Sequence, residues 1–213
     1  ATSGVAIDKR KVTASTYEIL VDGAKAESCI VTTPYENLHI LPSSLDLAAA
    51  ELEISDKKGR ESILKNALLP IKQYYDYIII DCPPSLGLIT TNALTASDTF
   101  LVPIQCEYYA LEGLTQLMST VRRIKRQYNN TIDIEGVLLA MYDGRLNLTQ
   151  QVVEEVKKFF PRKVFKTVIP RGVRLSEAPS FGMPVIYYDK NCKGSITYTE
   201  LAKEIIAKER SYE

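Results

Sequence analysis

Apolar residues along the chain follow two patterns that alternate in order. Segments that are mostly apolar are predicted to be strands, and they lie at residues 37–41, 77–80, 99–104, 134–141 and 164–169. The unbroken apolar run at residues 77–80 is typical of a strand covered on both faces. Apolar residues spaced three or four apart are typical of amphipathic helices, and such segments lie at residues 15–20, 45–54, 62–69, 92–96, 107–128, 149–160 and 197–208. Predicted strands and helices therefore alternate along the chain.

This alternation predicts an α/β protein with a doubly wound, mostly parallel sheet that is flanked by helices. No internal repeat, low-complexity tract or linker interrupts the 213 residues, so we expect a single domain over residues 1–213. Thr197 and Glu200 have the spacing of a capping box, which predicts that the last helix begins there.

The run at residues 77–80 is predicted to be the buried central strand, and it ends in an acid. Asp81 follows the run directly, and Cys82, Pro83 and Pro84 come next, where proline cannot continue a strand ladder. Open α/β sheets bind ligands just beyond the carboxyl ends of their strands, and an aspartate there can hold the Mg²⁺ of a triphosphate. The alternative is that Asp81 caps the next turn. This stretch alone leaves both interpretations open.

Residues just past the other predicted strands are also candidates for function, because the carboxyl ends of parallel strands meet at one edge of a sheet. These segments lie at residues 81–85, 105–107, 141–145 and 170–174, and the last two contain arginines. Such an edge suits a phosphate ligand accompanied by a metal ion.

The overall charge of the chain is balanced, but one stretch departs from this balance. Lysine plus arginine and aspartate plus glutamate both number 26, so binding of a polyanion would need a local cationic surface. Residues 157–174 contain no acid and the bases Lys157, Lys158, Arg162, Lys163, Lys166, Arg171 and Arg174. This stretch could neutralise nucleic-acid phosphates, or it could be a solvated helix face with its exit loop.

Cysteine and histidine content argues against a zinc site. Cys29, Cys82, Cys106 and Cys192 show no CxxC spacing, and His39 is the only histidine. We expect reduced thiols in the core and a structural role for His39. No stretch approaches ~18 consecutive apolar residues, and the first residues lack an apolar signal region, so we expect a cytoplasmic protein.

Four blocks of the chain, taken together and in order, resemble the ParA/Soj family of chromosome-partitioning ATPases, which are deviant Walker members of the P-loop class. The blocks are YDYIIIDCPPSLGLITTNALTASD at residues 75–98, VPIQCEYYALEGLTQL at 102–117, IEGVLLAMYDGRLNLTQQVVEEV at 134–156 and TVIPRGVRLSEAPSFGMPVIYYD at 167–189. The resemblance is nearly full length. The opening ATSGVAIDKRKV also fits, because in the family it directly follows a DxDPQGN segment.

The resemblance implies roles for the residues that follow the central run. Asp81 would be the Walker B acid, a catalytic residue that reaches Mg²⁺ through water. Cys82, Pro83 and Pro84 would form switch II.

The resemblance also implies two sets of binding residues later in the chain. Met141, Pro170 and Arg171 would form the nucleotide site, close to the adenine. Arg145 and Arg174 would hold DNA without regard to its sequence.

The family cycle supplies the expected cofactors and partners. ATP and Mg²⁺ would close a homodimer, the dimer would bind non-specific DNA, and hydrolysis would release it. The protein partner would be a centromere-binding protein of the ParB/Spo0J type, and the protein would be cytoplasmic and associated with the nucleoid. A septum-positioning ATPase of the MinD type needs a C-terminal amphipathic membrane helix. Residues 207–213 offer no apolar face, so we expect no membrane binding.

The sequence departs from the family at its start. It contains neither the KGGVGKTT phosphate loop nor the DxDPQGN aspartate, and the family's first strand, first helix and second strand are missing, which predicts an N-terminally truncated domain. Without backbone amides and a lysine to cradle the phosphates, we expect this chain alone to bind ATP weakly. The alternatives to a partitioning ATPase are a non-catalytic module that binds DNA or a partner, and an inactive truncated fragment.

Overall fold

The computed structural model describes residues 1–107 and 110–209, apart from the side chains of residues 110–112. The chain divides into two compact units. Unit 1 consists of Ala1–Asp98 and Ser119–Ile132, and unit 2 consists of Thr99–Met118 and Asp133–Glu213. That residues 1–213 form one domain stays a prediction.

Helices account for most of the regular structure in the described residues. The α-helices are α1 (Thr16–Val21), α2 (Ala26–Cys29), α3 (Leu47–Glu53), α4 (Ile63–Leu68), α5 (Leu88–Ala96), α6 (Ala110–Gln127), α7 (Asn147–Phe159), α8 (Val173–Glu177), α9 (Val185–Tyr188) and α10 (Lys193–Glu209). The strands are β1 (Val31–Thr32), β2 (His39–Ile40), β3 (Thr99–Gln105) and β4 (Asp133–Ala140). Short 3₁₀ turns lie at Thr2–Val5, Lys9–Lys11, Arg60–Ser62, Lys72–Tyr74 and Ala178–Phe181.

Unit 1 is built on a small helical core. Helix α1 begins where its sequence predicts, because the Ser15 hydroxyl accepts from the Tyr17 amide at 3.1 Å and the Glu18 carboxylate accepts from the Ser15 amide at 2.6 Å. The buried core side chains are Ile19, Leu20, Ala26, Cys29, Leu64, Leu68 and Ile71.

The first predicted strand of unit 1 is shorter than expected and pairs differently. β1 and β2 form a two-residue antiparallel ribbon, with Val31 opposite Ile40 and Thr32 opposite His39. His39 Nδ1 lies 2.9 Å from the Tyr75 hydroxyl, a hydrogen bond that fits the expected structural role of this histidine.

The prediction of a central strand at residues 77–80 is wrong for the described part of the chain. Residues 77–80 belong to no strand there, and Ile79 is 91% exposed, whereas Ile80 packs against the unit 1 core. A strand requires a neighbouring backbone to satisfy its amides and carbonyls. No described segment forms a ladder with this run, so its apolar side chains alone do not make it a strand.

Unit 2 contains the parallel pairing that the sequence predicts. β3 and β4 are parallel, with Thr99 opposite Asp133 at the start. The register shifts after Phe100, which leaves Glu135 as an extra residue in β4. The parallel pair with its helices confirms the α/β class.

Both faces of the β3–β4 pair are covered, as a doubly wound sheet requires. One face carries the buried residues Val102, Ile104, Cys106, Leu114, Ile134, Val137, Leu139, Val152 and Val156, of which the last two belong to α7. The other face carries Leu138, Phe165, Ile169 and Leu201, the last of these on α10.

The segment at residues 164–169 lies along β4 but is not a continuous strand. The amides of Phe165 and Ile169 donate to carbonyls of β4 at 3.0 and 2.9 Å. The Glu204 carboxylate of α10 accepts from the amides of Lys166 and Thr167 at 2.7 and 2.9 Å. A side chain therefore satisfies backbone groups that a further strand would otherwise pair.

Other predictions need smaller corrections. Helix α10 begins at Lys193, so Thr197 caps no helix start and its hydroxyl donates to the Lys193 carbonyl at 2.9 Å. Cys29 and Cys106 are buried as expected, but Cys82 is exposed and Cys192 half-buried. No helix in the described residues combines the length and the apolar character needed to cross a bilayer. Residues 210–213 of the C-terminal ending lie outside the described residues.

Candidate functional site

Asp81 stands in an exposed loop of unit 1. Its side chain is 68% exposed, and its Oδ2 lies 2.8 Å from the N-terminal ammonium of Ala1. The opening residues are held in place because Thr2 is buried and its hydroxyl accepts from the Ser43 amide at 3.0 Å. The described residues show no turn that Asp81 caps, so the structure does not support the capping interpretation.

The far end of this loop is tied to helix α5. The Glu51 carboxylate accepts from the Ile89 amide at 3.0 Å, and the Thr90 hydroxyl donates to the Ser85 carbonyl at 2.6 Å. A Cβ at Gly87 would lie 2.2 Å from a Glu51 oxygen, so a larger residue there would require the Glu51 carboxylate to move. The loop is thus anchored at its helical end while residues 81–85 stay exposed.

The charge state of Cys82, which follows Asp81, is set by its surroundings. Desolvation of the sulfur and, secondarily, the charge of Asp81 raise the pKa of the Cys82 thiol. The thiol is therefore protonated at neutral pH, and its Sγ lies 3.7 Å from the Ile80 carbonyl oxygen.

Asp81 could contribute to a magnesium site only as one carboxylate. The described residues contain no group of three or more histidine, cysteine, aspartate or glutamate side chains that could hold a metal ion. Mg²⁺ keeps several waters and is commonly held by one or two carboxylates together with substrate phosphates. The exposed carboxylate fits such a site.

The second candidate region lies in unit 2, where β4 ends. Met141 has a φ of +51°, a conformation that costs a residue with a side chain energy. The amide of Tyr142 donates to the Ile169 carbonyl at 3.0 Å, and the amide of Arg171 donates to the Tyr142 carbonyl at 3.4 Å. The structure therefore brings together two of the segments that follow predicted strands, residues 141–145 and 170–174, and Pro170 lies at their contact.

These exits form one wall of an open groove of about 700 Å³, which we call the cationic groove. Its charged lining residues are Arg145, Lys166, Arg171 and Lys193 together with Asp143 and Glu200. Pro170 lines it too, whereas Met141 and Arg174 are not among its lining residues. The excess of cations over acids suits an anionic ligand.

Arg145 is paired within its own loop. Its guanidinium donates to both carboxylate oxygens of Asp143, at 2.9 and 2.6 Å. The hydrogen bonds from Arg145 hold the pKa of Asp143 at about 2. The Arg145 side chain is nevertheless 89% exposed, so it can reach a ligand in solution.

Arg174 lies in a separate set of contacts. Its guanidinium is 2.9 Å from Glu177 and 3.6 Å from Asp189, and it lies 5.9 Å from the centre of the Tyr188 ring. These carboxylates neutralise its charge in this conformation.

The basic stretch at residues 157–174 is less cationic in three dimensions than in sequence. Acids from elsewhere in unit 2 pair with four of its bases: Lys158 with Glu155, Lys163 with Asp133, Arg171 with Glu107, and Arg174 with Glu177 and Asp189. The stretch therefore does not form one uniformly basic surface.

Comparison with known proteins identifies the family. A family model described as an AAA domain matches residues 1–134. The chain is 57% identical over 207 residues to the sporulation initiation inhibitor protein Soj of Bacillus subtilis strain 168, covering 97% of this chain and 82% of the relative. It is 46% identical over 209 residues to the chromosome partitioning protein ParA of Myxococcus xanthus, covering 98% of this chain and 74% of that protein. The chain belongs to the ParA/Soj family of chromosome-partitioning ATPases.

A solved structure supports the P-loop fold of this ParA/Soj chain. Cobyrinic acid a,c-diamide synthase from Mycobacterium smegmatis, with bound ATP analog and magnesium, matches with a TM-score of 0.83 and 31% identity. The match covers 98% of this chain and 78% of the synthase. The prediction of a P-loop type α/β fold is therefore confirmed.

Sequence reasoning missed two residues that shape the sites of this ParA/Soj chain. Glu51 anchors the helix that follows the Asp81 loop, and Lys193 lines the cationic groove. Neither stands in a motif, since each reaches its site only through the folding of a distant helix. The one available signal for Glu51 is Gly87, a glycine just before a predicted helix.

Proposed function

We propose that the chain performs the nucleotide and DNA functions of a ParA/Soj partitioning ATPase. In this proposal ATP and Mg²⁺ close a homodimer, the dimer binds non-specific DNA on the nucleoid, and hydrolysis, promoted by a ParB/Spo0J-type partner, releases it. Family membership supports the proposal, and so does the ATP analog with magnesium in the related synthase.

The observation that supports nucleotide binding and hydrolysis is the exposure of the Asp81 carboxylate. Its carboxylate follows the apolar run directly and stays exposed, and it caps no turn in the part of the chain that the structure describes. A carboxylate at this place can accept hydrogen bonds from metal-bound water, and the metal in turn neutralises charge on the transferring phosphate.

The nucleotide part can be tested with one substitution and a matched control. The chain is expressed behind a KGGVGKTT-containing segment of a Soj relative, and Mg²⁺-dependent ATP hydrolysis is measured. We expect Asp81→Asn to lower the rate about 100-fold and to leave the free energy of unfolding within about 1 kcal/mol. Asp98→Asn is the control, because Asp98 is also exposed, at 77%, and also forms an ion pair at 2.8 Å, with Lys72. Equal rates in the two variants would contradict the role of Asp81.

The DNA part rests on the exposed arginines of unit 2. Arg145 lines the cationic groove, and Arg174 is held by acids that DNA phosphates would have to replace. Arginine that contacts phosphates contributes to affinity without reading sequence. Arg145→Ala and Arg174→Ala should each weaken binding equally on two unrelated duplexes and flatten the slope of log affinity against log salt by roughly one unit. Loss on only one duplex would show that these arginines read bases.

A further inference from the structure

Helix α5 is fixed in unit 1 by a buried side-chain amide. The Asn92 side chain lies in a residue that is 1% exposed, and it makes three hydrogen bonds to the backbone. Its Nδ2 donates to the carbonyls of Arg60 and Leu88 at 2.7 and 3.1 Å. Its Oδ1 accepts from the Leu64 amide at 3.1 Å. A buried amide with these partners holds α5 against helix α4 and the turn before it, so the start of α5 is a fixed point.

Two side chains join the loop at residues 81–87 to this fixed point. The Thr90 hydroxyl donates to the Ser85 carbonyl at 2.6 Å, and Thr90 is only 5% exposed. Ile89 is the second residue of α5, so its amide has no carbonyl partner within the helix. The Glu51 carboxylate accepts from that amide at 3.0 Å. The two hydrogen bonds tie the end of the loop and the first turn of α5 together.

The beginning of the loop is held by packing and by its own sequence. Ile80 packs against the buried core of unit 1, and Pro83 and Pro84 each have a φ fixed by the proline ring. Few backbone torsions between Ile80 and Ser85 therefore remain free. The hydrogen bond at Ser85 consequently limits where the exposed Asp81 carboxylate can lie.

We propose that Thr90 and Glu51 are positioning residues for ATP hydrolysis, which hold the Asp81 carboxylate where it can accept hydrogen bonds from water on Mg²⁺. The inference rests on the proposed function, since it assigns two further residues to the same reaction. Neither side chain has to touch the nucleotide. A group that occupies its competent position only part of the time binds its ligand more weakly by that fraction. Loss of either hydrogen bond therefore weakens the contribution of Asp81 without removing its carboxylate.

The first measurement uses the chain as it stands and needs no nucleotide. Amide hydrogen exchange in the peptide that covers residues 81–89 should be about fivefold faster in Thr90→Val and in Glu51→Ala than in the parent, the factor that corresponds to one hydrogen bond. Thr90→Ser and Glu51→Gln should exchange at the parent's rate, because they keep the donor and the acceptor. Parental exchange in both Thr90→Val and Glu51→Ala would overturn the inference.

The second measurement is MgATP hydrolysis by the chain expressed with the phosphate-loop segment described above. Thr90→Val and Glu51→Ala should each lower the rate about fivefold, and the two conservative variants should keep it. Because the residues act through Asp81, the same substitutions should have no further effect in an Asp81→Asn background. A role in stability alone would lower the rate equally in both backgrounds, and that result would overturn the inference.

Glu53→Ala is the matched control for Glu51. Glu53 also lies in α3, but it accepts from the Tyr17 hydroxyl at 2.8 Å. The control should leave both the amide exchange of the loop and the rate of hydrolysis unchanged. A loss equal to that of Glu51→Ala would overturn the assignment of Glu51, since the effect would then follow from damage to α3.

The outcomes separate this inference from the proposed function. If Asp81→Asn lowers the rate while Thr90→Val and Glu51→Ala match the parent, the inference is overturned and the proposed function stands. If Asp81→Asn matches the parent, the proposed role of Asp81 and this inference fall together.

Discussion

The apolar runs at residues 77–80 of unit 1 and 137–140 of unit 2 have similar composition but different structures. Val137 is fully buried in β4, whereas Ile79 is 91% exposed and belongs to no strand in the described residues. β4 pairs with β3 and also accepts hydrogen bonds from the segment at residues 164–169. The comparison shows that backbone pairing, rather than side-chain hydrophobicity, decides which run is buried.

The residues that follow the two runs differ for the same reason. Beyond β4, the amide of Tyr142 is bound by the Ile169 carbonyl, so the strand exit is fixed beside a second segment of unit 2. Beyond the other run, the exposed Asp81 carboxylate forms an ion pair with the ammonium of Ala1. The residues after the paired run of β4 are held by hydrogen bonds to a second segment, whereas the residues after the unpaired run at 77–80 form an exposed loop.

The strongest test of this comparison places the same polar residue in each run. Val137→Asn should lower the free energy of unfolding by about 3 to 5 kcal/mol, because it buries an amide without partners. Ile79→Asn should change the free energy by no more than about 0.5 kcal/mol. Urea unfolding of both variants measures the difference. A comparable loss in Ile79→Asn would mean that residues 77–80 are buried in solution.

The second test concerns how closely unit 2 is packed. A Cβ at Gly136 in β4 would lie 2.4 Å from a ring carbon of Phe165, so Gly136→Ala should force the ring to move and cost about 1 to 3 kcal/mol. Gly113 in α6 has no atom within 4 Å of such a Cβ. Gly113→Ala should therefore stabilise the protein by about 0.5 to 1 kcal/mol. Thermal unfolding should show shifts of opposite sign, and shifts of the same sign would contradict the packing.

The third test removes the Glu204 carboxylate, which binds backbone amides of the segment at residues 164–169. Burial alone would raise the pKa of Glu204, but hydrogen bonds from the amides of Lys166 and Thr167 outweigh it and lower the pKa below 4.5. A carboxyl whose pKa is lower in the folded than in the unfolded protein stabilises the fold at pH values above its unfolded-state pKa. This stabilisation is lost as the pH falls through the folded-state pKa. Glu204→Gln should thus cost about 1 to 2 kcal/mol at pH 7.

The pH dependence supplies the control for Glu204. The difference between parent and Glu204→Gln, measured by urea unfolding, should shrink as pH falls below 4.5. A difference that is constant down to low pH would show that the carboxylate charge is not what binds the two amides.

The smallest expected effect concerns the exit of β4. Met141→Gly should stabilise the protein by about 0.5 kcal/mol, since relief of the positive φ is partly offset by the larger entropy that glycine loses on folding. Met141→Ala is the control, because it removes the side chain but keeps the conformational cost. Equal melting temperatures for the two variants would show that the backbone at this exit is not strained.

Much of unit 2 could be predicted from sequence because its elements find partners within the described chain. The patterns for β3, β4 and α7 gave elements within about two residues of those observed. The groove could not be predicted in this way. Arg145, Lys166 and Lys193 lie far apart in sequence and meet only because the 164–169 segment and α10 pack on β4. Acids such as Asp133 and Glu107 reach the basic stretch by the same route.

The sequence by itself determined the family and the α/β class, because motifs and apolar periodicity are local properties of the chain; the roles of Asp81, Arg145 and Arg171 stay predictions. Tertiary structure alone decided which apolar run became a strand, which cations formed ion pairs and that Glu51 and Glu204 accept hydrogen bonds from backbone amides. The physical reason is that strand pairing, burial and ion pairing each require a second segment of the chain. The local sequence of one segment does not specify where that second segment lies.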